Sequence, residues 1–163
     1  MTKPEPKIVE LAEKKLVGHN IEMSLINNKN QELFSGFMPR KKQLTHTVSD
    51  DVYEVLIYEA NHFKSFNPAN IFTKWAAVEV SSLDNIPDDM HSLSIENGLY
   101  AVFHYKGLSK DFGTLMQFIL MNWLPESEYV LDYRPHFNVL GEKSKRNHPD
   151  SEEDVYIPIK EKS

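Results

Sequence analysis

Two short stretches far apart in the chain can be laid over each other. FMPRKKQL at 37–44 and WLPESEYV at 123–130 both run aromatic, apolar, proline and then polar. In both places a strand-like and a helix-like segment precede the match and two strand-like segments follow it. The chain therefore reads as a duplication: strand, helix, strand, strand, performed twice. One such unit cannot bury its helix stripe alone, but two side by side form one mostly antiparallel sheet with both helices packed on one face. The expectation is an α+β fold of two pseudo-symmetric β-α-β-β repeats, over about 8–84 and 92–160, with tails at 1–6 and 161–163. A groove between the two helices, floored by the sheet, is the ordinary place for a small apolar ligand.

The segments carry their own punctuation. Ile8 to Ile26 reads as strand around Gly18, where a bulge or a close approach is expected. NNKNQELFSGFMPRKK sets Leu33, Phe34, Phe37 and Met38 at helical spacing, with Asn27 or Asn28 as N-cap. Pro39 should stop that helix, because the residue before a proline is pushed out of the α region. DVYEVLIYEA and KWAAVEVSSL are strands joined by a loop whose Phe63, Phe66 and Phe72 either pack on the body or cover a pocket. SLSIENGLYAVFHYKG is a strand interrupted at Asn97-Gly98. SKDFGTLMQFILMNWLP is the second helix, with Ser109 as N-cap, Asp111 in the first turn and a stripe of Phe112, Leu115, Met116, Ile119, Leu120 and Trp123. YVLDYRPHFNVLG and EDVYIPIK are strands joined by the polar stretch EKSKRNHPDSEE, which should be mobile. Pro135 and Pro158 require an edge or a bulge where no ladder donor is missed.

Composition removes several function classes. At 163 residues and 40% hydrophobic the chain suits one domain, 1–163. The net charge is -6, and the basic clusters Arg40-Lys41-Lys42 and Lys143 to Arg146 are short, so no direct nucleic-acid binding is expected. Without cysteine there is no disulfide, thiolate metal site or cysteine nucleophile. No apolar run has the length of a membrane span and the N-terminus lacks an apolar leader, so a soluble cytoplasmic protein is expected. The seven histidines show no HExxH-like spacing, and no G-x-S-x-G elbow, P-loop or dinucleotide fingerprint occurs. No catalytic residue, metal or cofactor is assigned.

Four stretches carry a family likeness: GLYAVFHYKG at 98–107, NWLP at 122–125, RPHFNVLG at 134–141 and DVYIPIK at 154–160. In this order they resemble the GyrI-like small-molecule-binding domain, the effector-binding domain of many AraC-type and some MerR-type bacterial transcription activators. The resemblance implies a tandem-repeat domain whose groove takes bulky hydrophobic compounds, often cationic. It also implies a glutamate on the strand after the helix, in a pattern like Pro-x-Phe-Glu-x-Tyr. Here that stretch is Pro135-His136-Phe137-Asn138-Val139-Leu140, so Asn138 stands where the acid would be. A buried carboxylate selects a cation because of what its burial costs, whereas an amide is cheaper to bury and offers donor and acceptor. Charge selection by this position is lost, unless Glu79, Glu54 or Asp154 points into the same groove.

The candidate ligand-binding residues are Trp75, Glu79, Tyr100, Trp123, Asn138 and Tyr156. Tyr and Trp combine an apolar face with one hydrogen-bonding handle. The leading expectation is binding of a small hydrophobic or amphipathic molecule, with the protein acting by sequestration or by ligand-dependent contact with a partner. The resemblance leaves two alternatives: a hydrolase of small electrophiles, which would need Glu79 or another carboxylate for proton transfer because an amide does not titrate, and a protein-interaction module such as a gyrase inhibitor, whose acidic surface would meet a basic partner.

Overall fold

The computed structural model describes residues 5–59, 67–108, 112–145 and 148–162. Phe63, Phe66, the N-cap Ser109, Asp111 and Arg146 lie outside the described residues. The strands are β1 (Lys7–Leu11), β2 (Lys14–Met23), β3 (Val52–Ile57), β4 (Phe72–Val80), β5 (His91–Ile95), β6 (Gly98–Lys106), β7 (Tyr129–Leu131), β8 (His136–Leu140) and β9 (Glu152–Glu161). Helix α1 spans Asn30–Phe37, and α2 (Phe112–Phe118) runs through a π-helical stretch at Ile119–Trp123 into the short α3 (Leu124–Glu126).

Two long strand readings are each divided. The stretch expected over 8–26 forms β1 and β2 with a break at Ala12-Glu13 and ends early, at Met23, and 129–140 form β7 and β8 with a break at 132–135. The break before Gly98 falls where Asn97-Gly98 places it. Helix α1 starts later than either asparagine cap allows, by one residue from Asn28 and two from Asn27: Lys29 is the N-cap residue, while the Asn28 side chain accepts a hydrogen bond from the Asn30 N–H at 2.8 Å. Pro39 ends the α form but not the helical path, since it sits in the first turn of a 3-10 segment at Met38–Gln43. That fits a residue with fixed φ and no N–H to lose. Met38 turns outward, and Leu33 and Phe37 carry the buried face.

All pairings are antiparallel, in the order β1-β6-β9-β8-β3-β4-β2-β5, with β7 on the far end of β9. The repeats are visible in it: β8-β9-β6 mirrors β3-β4-β2, and β3 joins β8 at the centre. The outermost strands are exchanged, because β1 pairs with β6 of the second repeat and β5 with β2 of the first. Only Ala12 and Glu13 separate β1 from β2, although these strands lie near opposite ends of the order. Three Cα–Cα steps span at most about 11 Å, so the sheet curls until its two ends meet at that corner.

Curling gives the sheet an inside and an outside. Leu16, Tyr53, Val55, Trp75, Ala77, Ile95, Tyr100 and Phe137 form one inner core, joined by Val9, Leu11 and Tyr156. On the outer face, α1 packs Leu33 and Phe37 on Val17, Ala76, Val78 and Val80, and α2 packs Leu115 and its neighbour Ile119 on Ala101, Phe103, Val155 and Ile157. Both helices thus cover the same face, one over each repeat.

Two local features show how the pairing is achieved. Gly18 is in regular register with Ala77 and His91, and a Cβ there would overlap the Ala76 carbonyl oxygen and lie 2.6 Å from Ala77 Cα. This is a close approach, not a bulge. Pro158 falls where the partner of β9 changes from β8, paired up to Tyr156, to β7, paired from Ile159. Its carbonyl accepts from the Asp132 N–H at 3.0 Å on that side. The N–H of a strand residue points the same way as its C=O, so the missing donor faces the gap.

Candidate functional site

Alternation along a strand decides which side chains can meet. In the central strands Glu54 pairs with both Asn138 and Ala76, and Asn138 also pairs with Val155. These four form one row across β9, β8, β3 and β4. The row lies on the helix side, because Ala76 belongs to the core under α1 and Val155 to the core under α2. Lys74 and Glu153 stand two residues along from Ala76 and Val155, so they share that face. The row crosses the seam between the repeats, with an apolar helix contact on either side.

The polar groups of the row are coupled. Lys74 Nζ lies 3.2 Å from Glu54 Oε1, and the two side chains are only 10% and 18% exposed. Asn138, 3% exposed, donates through Nδ2 to the same carboxylate oxygen in a long hydrogen bond of 3.5 Å. The Lys74 ammonium also sits 6.0 Å from the centroid of the Phe34 ring on α1. Burial, with the nearby Glu54 charge adding to it, pushes the Glu153 carboxyl up to about 7. The Tyr58 phenol is held protonated by burial, and its ring meets His136 edge-on at 5.0 Å. The row therefore offers one carboxylate, already shared between an ammonium and an amide, and a second carboxyl near its neutral form.

The six residues singled out from sequence do not form one constellation. Only Asn138 lies in the row. Trp75, Glu79, Tyr100 and Tyr156 stand on the inner face, because Trp75 pairs with Val55 and Tyr156 with Phe137, each one position removed from the Glu54–Asn138 pair. There Tyr156 stacks on Phe137 at 4.4 Å, and Tyr100 meets the same ring edge-on at 5.3 Å. Tyr100 is fully buried, donates to the Pro135 carbonyl at 3.0 Å and has its phenol pushed up to about 12 by burial. Glu79 accepts from the Tyr53 hydroxyl at 3.3 Å and from Lys14 Nζ at 3.4 Å. Trp123 packs edge-on against Phe103 at 5.3 Å and along Tyr129 at 6.5 Å, within the contacts that hold α2 down. The carboxylate named for hydrolytic proton transfer is thus on the far side of the sheet from Asn138.

Sequence reasoning named Glu54 only among three possible acids and did not weigh Lys74 or Glu153. A signal for Glu54 was present. Tyr53-Glu54-Val55-Leu56 is similar to Phe137-Asn138-Val139-Leu140, and Glu54 pairs with Asn138 at the middle of the β3–β8 ladder, so Glu54 is the repeat mate of Asn138. The acid missing from the second repeat occurs in the first, directly across the pseudo-dyad.

A hollow of about 290 Å³ lies away from the seam, on the flank of α1, lined by His19, Ile21, Leu33, Gly36, Asp89 and His91 among others. Burial, followed by the Arg40 charge, lowers the pKa of His19, and Arg40 pairs with Asp89. Among the described residues no helix is long and apolar enough to cross a membrane.

Comparison with known proteins adds to this geometry. Residues 7–159 match the family model Cass2, the integron-associated effector-binding protein. No curated protein sequence matches the chain. Among solved structures, SAV2435 bound to tetraphenylphosphonium is similar over 96% of this chain and 94% of that one, at 17% identity and a TM-score of 0.67. The EcmrR C-terminal domain aligns over 99% and 100% of the two chains, at 10% identity and a TM-score of 0.71. The integron cassette protein from the mobile metagenome of Vibrio cholerae aligns over 96% of both, at 12% identity and a TM-score of 0.60.

Proposed function

Because the chain belongs to the Cass2 family of integron-associated effector-binding proteins, we propose that it binds its effector along the Glu54–Asn138 row, between the two helices. The fold is that of the GyrI-like effector-binding domains, and binding of a small molecule is the function it supports. The effector class we assign is a hydrophobic or amphipathic compound whose apolar body lies between the helix faces and whose polar group meets Asn138.

One observation carries this reading: a carboxylate and an amide hydrogen-bonded across the pseudo-dyad, largely buried on the face that both helices flank. A sheet gains little from such a pair, since burying a charge costs free energy that pairing only partly returns. A ligand that uses the amide and the carboxylate gives the arrangement a purpose. The likeness to SAV2435, which was solved with the aromatic cation tetraphenylphosphonium, supports the bulky aromatic body of that class.

The test is a panel of neutral and charged aromatic amphiphiles, followed by calorimetry and by the rise in melting temperature that binding produces through mass action. Saturable binding is expected, and Asn138→Leu should weaken it at least tenfold in a protein that still melts cooperatively. Undiminished binding by that variant moves the site elsewhere, and a panel without any binder defeats the receptor function.

A further inference from the structure

The acid of the row arrives with a cation of its own. Lys74 is rooted in the middle of the first repeat, between Ile21 of β2 and Leu56 of β3, and its stem runs beneath α1 to the centre of the seam. At 8% residue exposure it is the one buried lysine, arginine or carboxylate among the described residues, and its ammonium ends 3.2 Å from Glu54. A charged group in such a position is held by its partners, because leaving them exposes an unpaired carboxylate in a medium of low polarity.

We propose that Lys74 sets the specificity of the groove: its ammonium fills the place beside Glu54 that a ligand's positive charge would take, so the site accepts neutral amphipathic aromatic compounds and disfavours lipophilic cations. This rests on the reading of the Glu54–Asn138 row as the effector site. A cation entering the row meets like charge at the position where an unpaired acid would attract it. To displace Lys74 it would have to break both the ion pair and the contact with the Phe34 ring. A neutral ligand avoids both costs and is oriented by Asn138, which offers donor and acceptor in one group. Glu153 draws a cation less than an ordinary carboxylate would, since burial and the Glu54 charge raise its carboxyl to about 7.

Two probes of similar size and opposite demand test the idea: tetraphenylphosphonium, and triphenylphosphine oxide, which is neutral and accepts hydrogen bonds. Calorimetry on the full chain at neutral pH should show wild type preferring the oxide. Lys74→Met keeps most of the stem and removes the charge, and it should bind the phosphonium at least tenfold more tightly while its affinity for the oxide changes less than threefold. Adding Glu54→Gln should abolish that gain. The comparison within wild type does not depend on any variant folding: tighter binding of the phosphonium than of the oxide by tenfold overturns the proposal. A folded Lys74→Met protein with no gain for the cation overturns it as well. If neither probe binds wild type or any variant, the groove reading itself fails, and the inference falls with it.

Discussion

At His104 both ring nitrogens face carboxylates, Nδ1 at 2.9 Å from Asp154 and Nε2 at 2.8 Å from Glu152. The hydrogen bond to Asp154, then that to Glu152, raises the histidine pKa above its ordinary value. Stability from this clamp is complete below about pH 6.5 and is lost as pH rises through the raised folded value. With His104 55% exposed the effect is small, and His104→Gln should flatten the decline in urea midpoint above pH 6.5. Glu153 acts in the same direction over a lower window. Its carboxyl is raised to about 7, so its contribution is greatest below the ordinary carboxylate range and falls as pH rises to 7. Glu153→Gln should therefore stabilise the protein at pH 8 by about 1–2 kcal/mol after allowance for screening, with the difference vanishing near pH 4. For neither group were the partners legible in the sequence. Which face a strand residue takes depends on register, and a shift of one position sends it to the other side. Trp75 and Asn138 show the same limit: both are polar-tipped residues in strands, yet they stand on opposite faces.

Whole elements were easier to read than their ends. The stripe Leu115–Ile119 packs as the helical period requires, with Phe118 beside it at i+3 from Leu115, but the π-helical turn at Ile119–Trp123 shifts the face beyond it, so that Leu124 joins the core. No composition signal marks such a turn. The divided strands differ in this respect: Asp132 and Pro135 mark the second break in the sequence, whereas Ala12-Glu13 is only a weak signal and tertiary pairing makes that break. Gly18 was legible, because a glycine within an apolar strand asks for a reason. Its reason is the passage of the β4 backbone, so Gly18→Ala must push two paired strands apart. A loss of about 3 kcal/mol is expected from urea denaturation, and a loss under about 1 kcal/mol would mean that the strands yield more easily than their register suggests.

Over the whole molecule the duplication was readable and the exchange of outer strands was not. Repeats announce themselves through element order, whereas the choice of partner for a short edge strand is made by the curl of the finished sheet. Truncation through Leu11 would bare the edge of β6 that residues 98–102 present to β1, with β9 still paired on the other side, and remove Val9 and Leu11 from the inner core. A lower melting temperature and concentration-dependent association through the bare edge are expected, measured by scanning calorimetry and light scattering. The exchange has a further consequence. If the chain were nicked between Ser81 and Met90, each fragment would carry a strand whose place is in the other and a vacancy that only the other can fill. The two pieces would be clasped like hooked fingers, and co-expressed as separate polypeptides they should reassemble, while either one alone would have no complete form to reach.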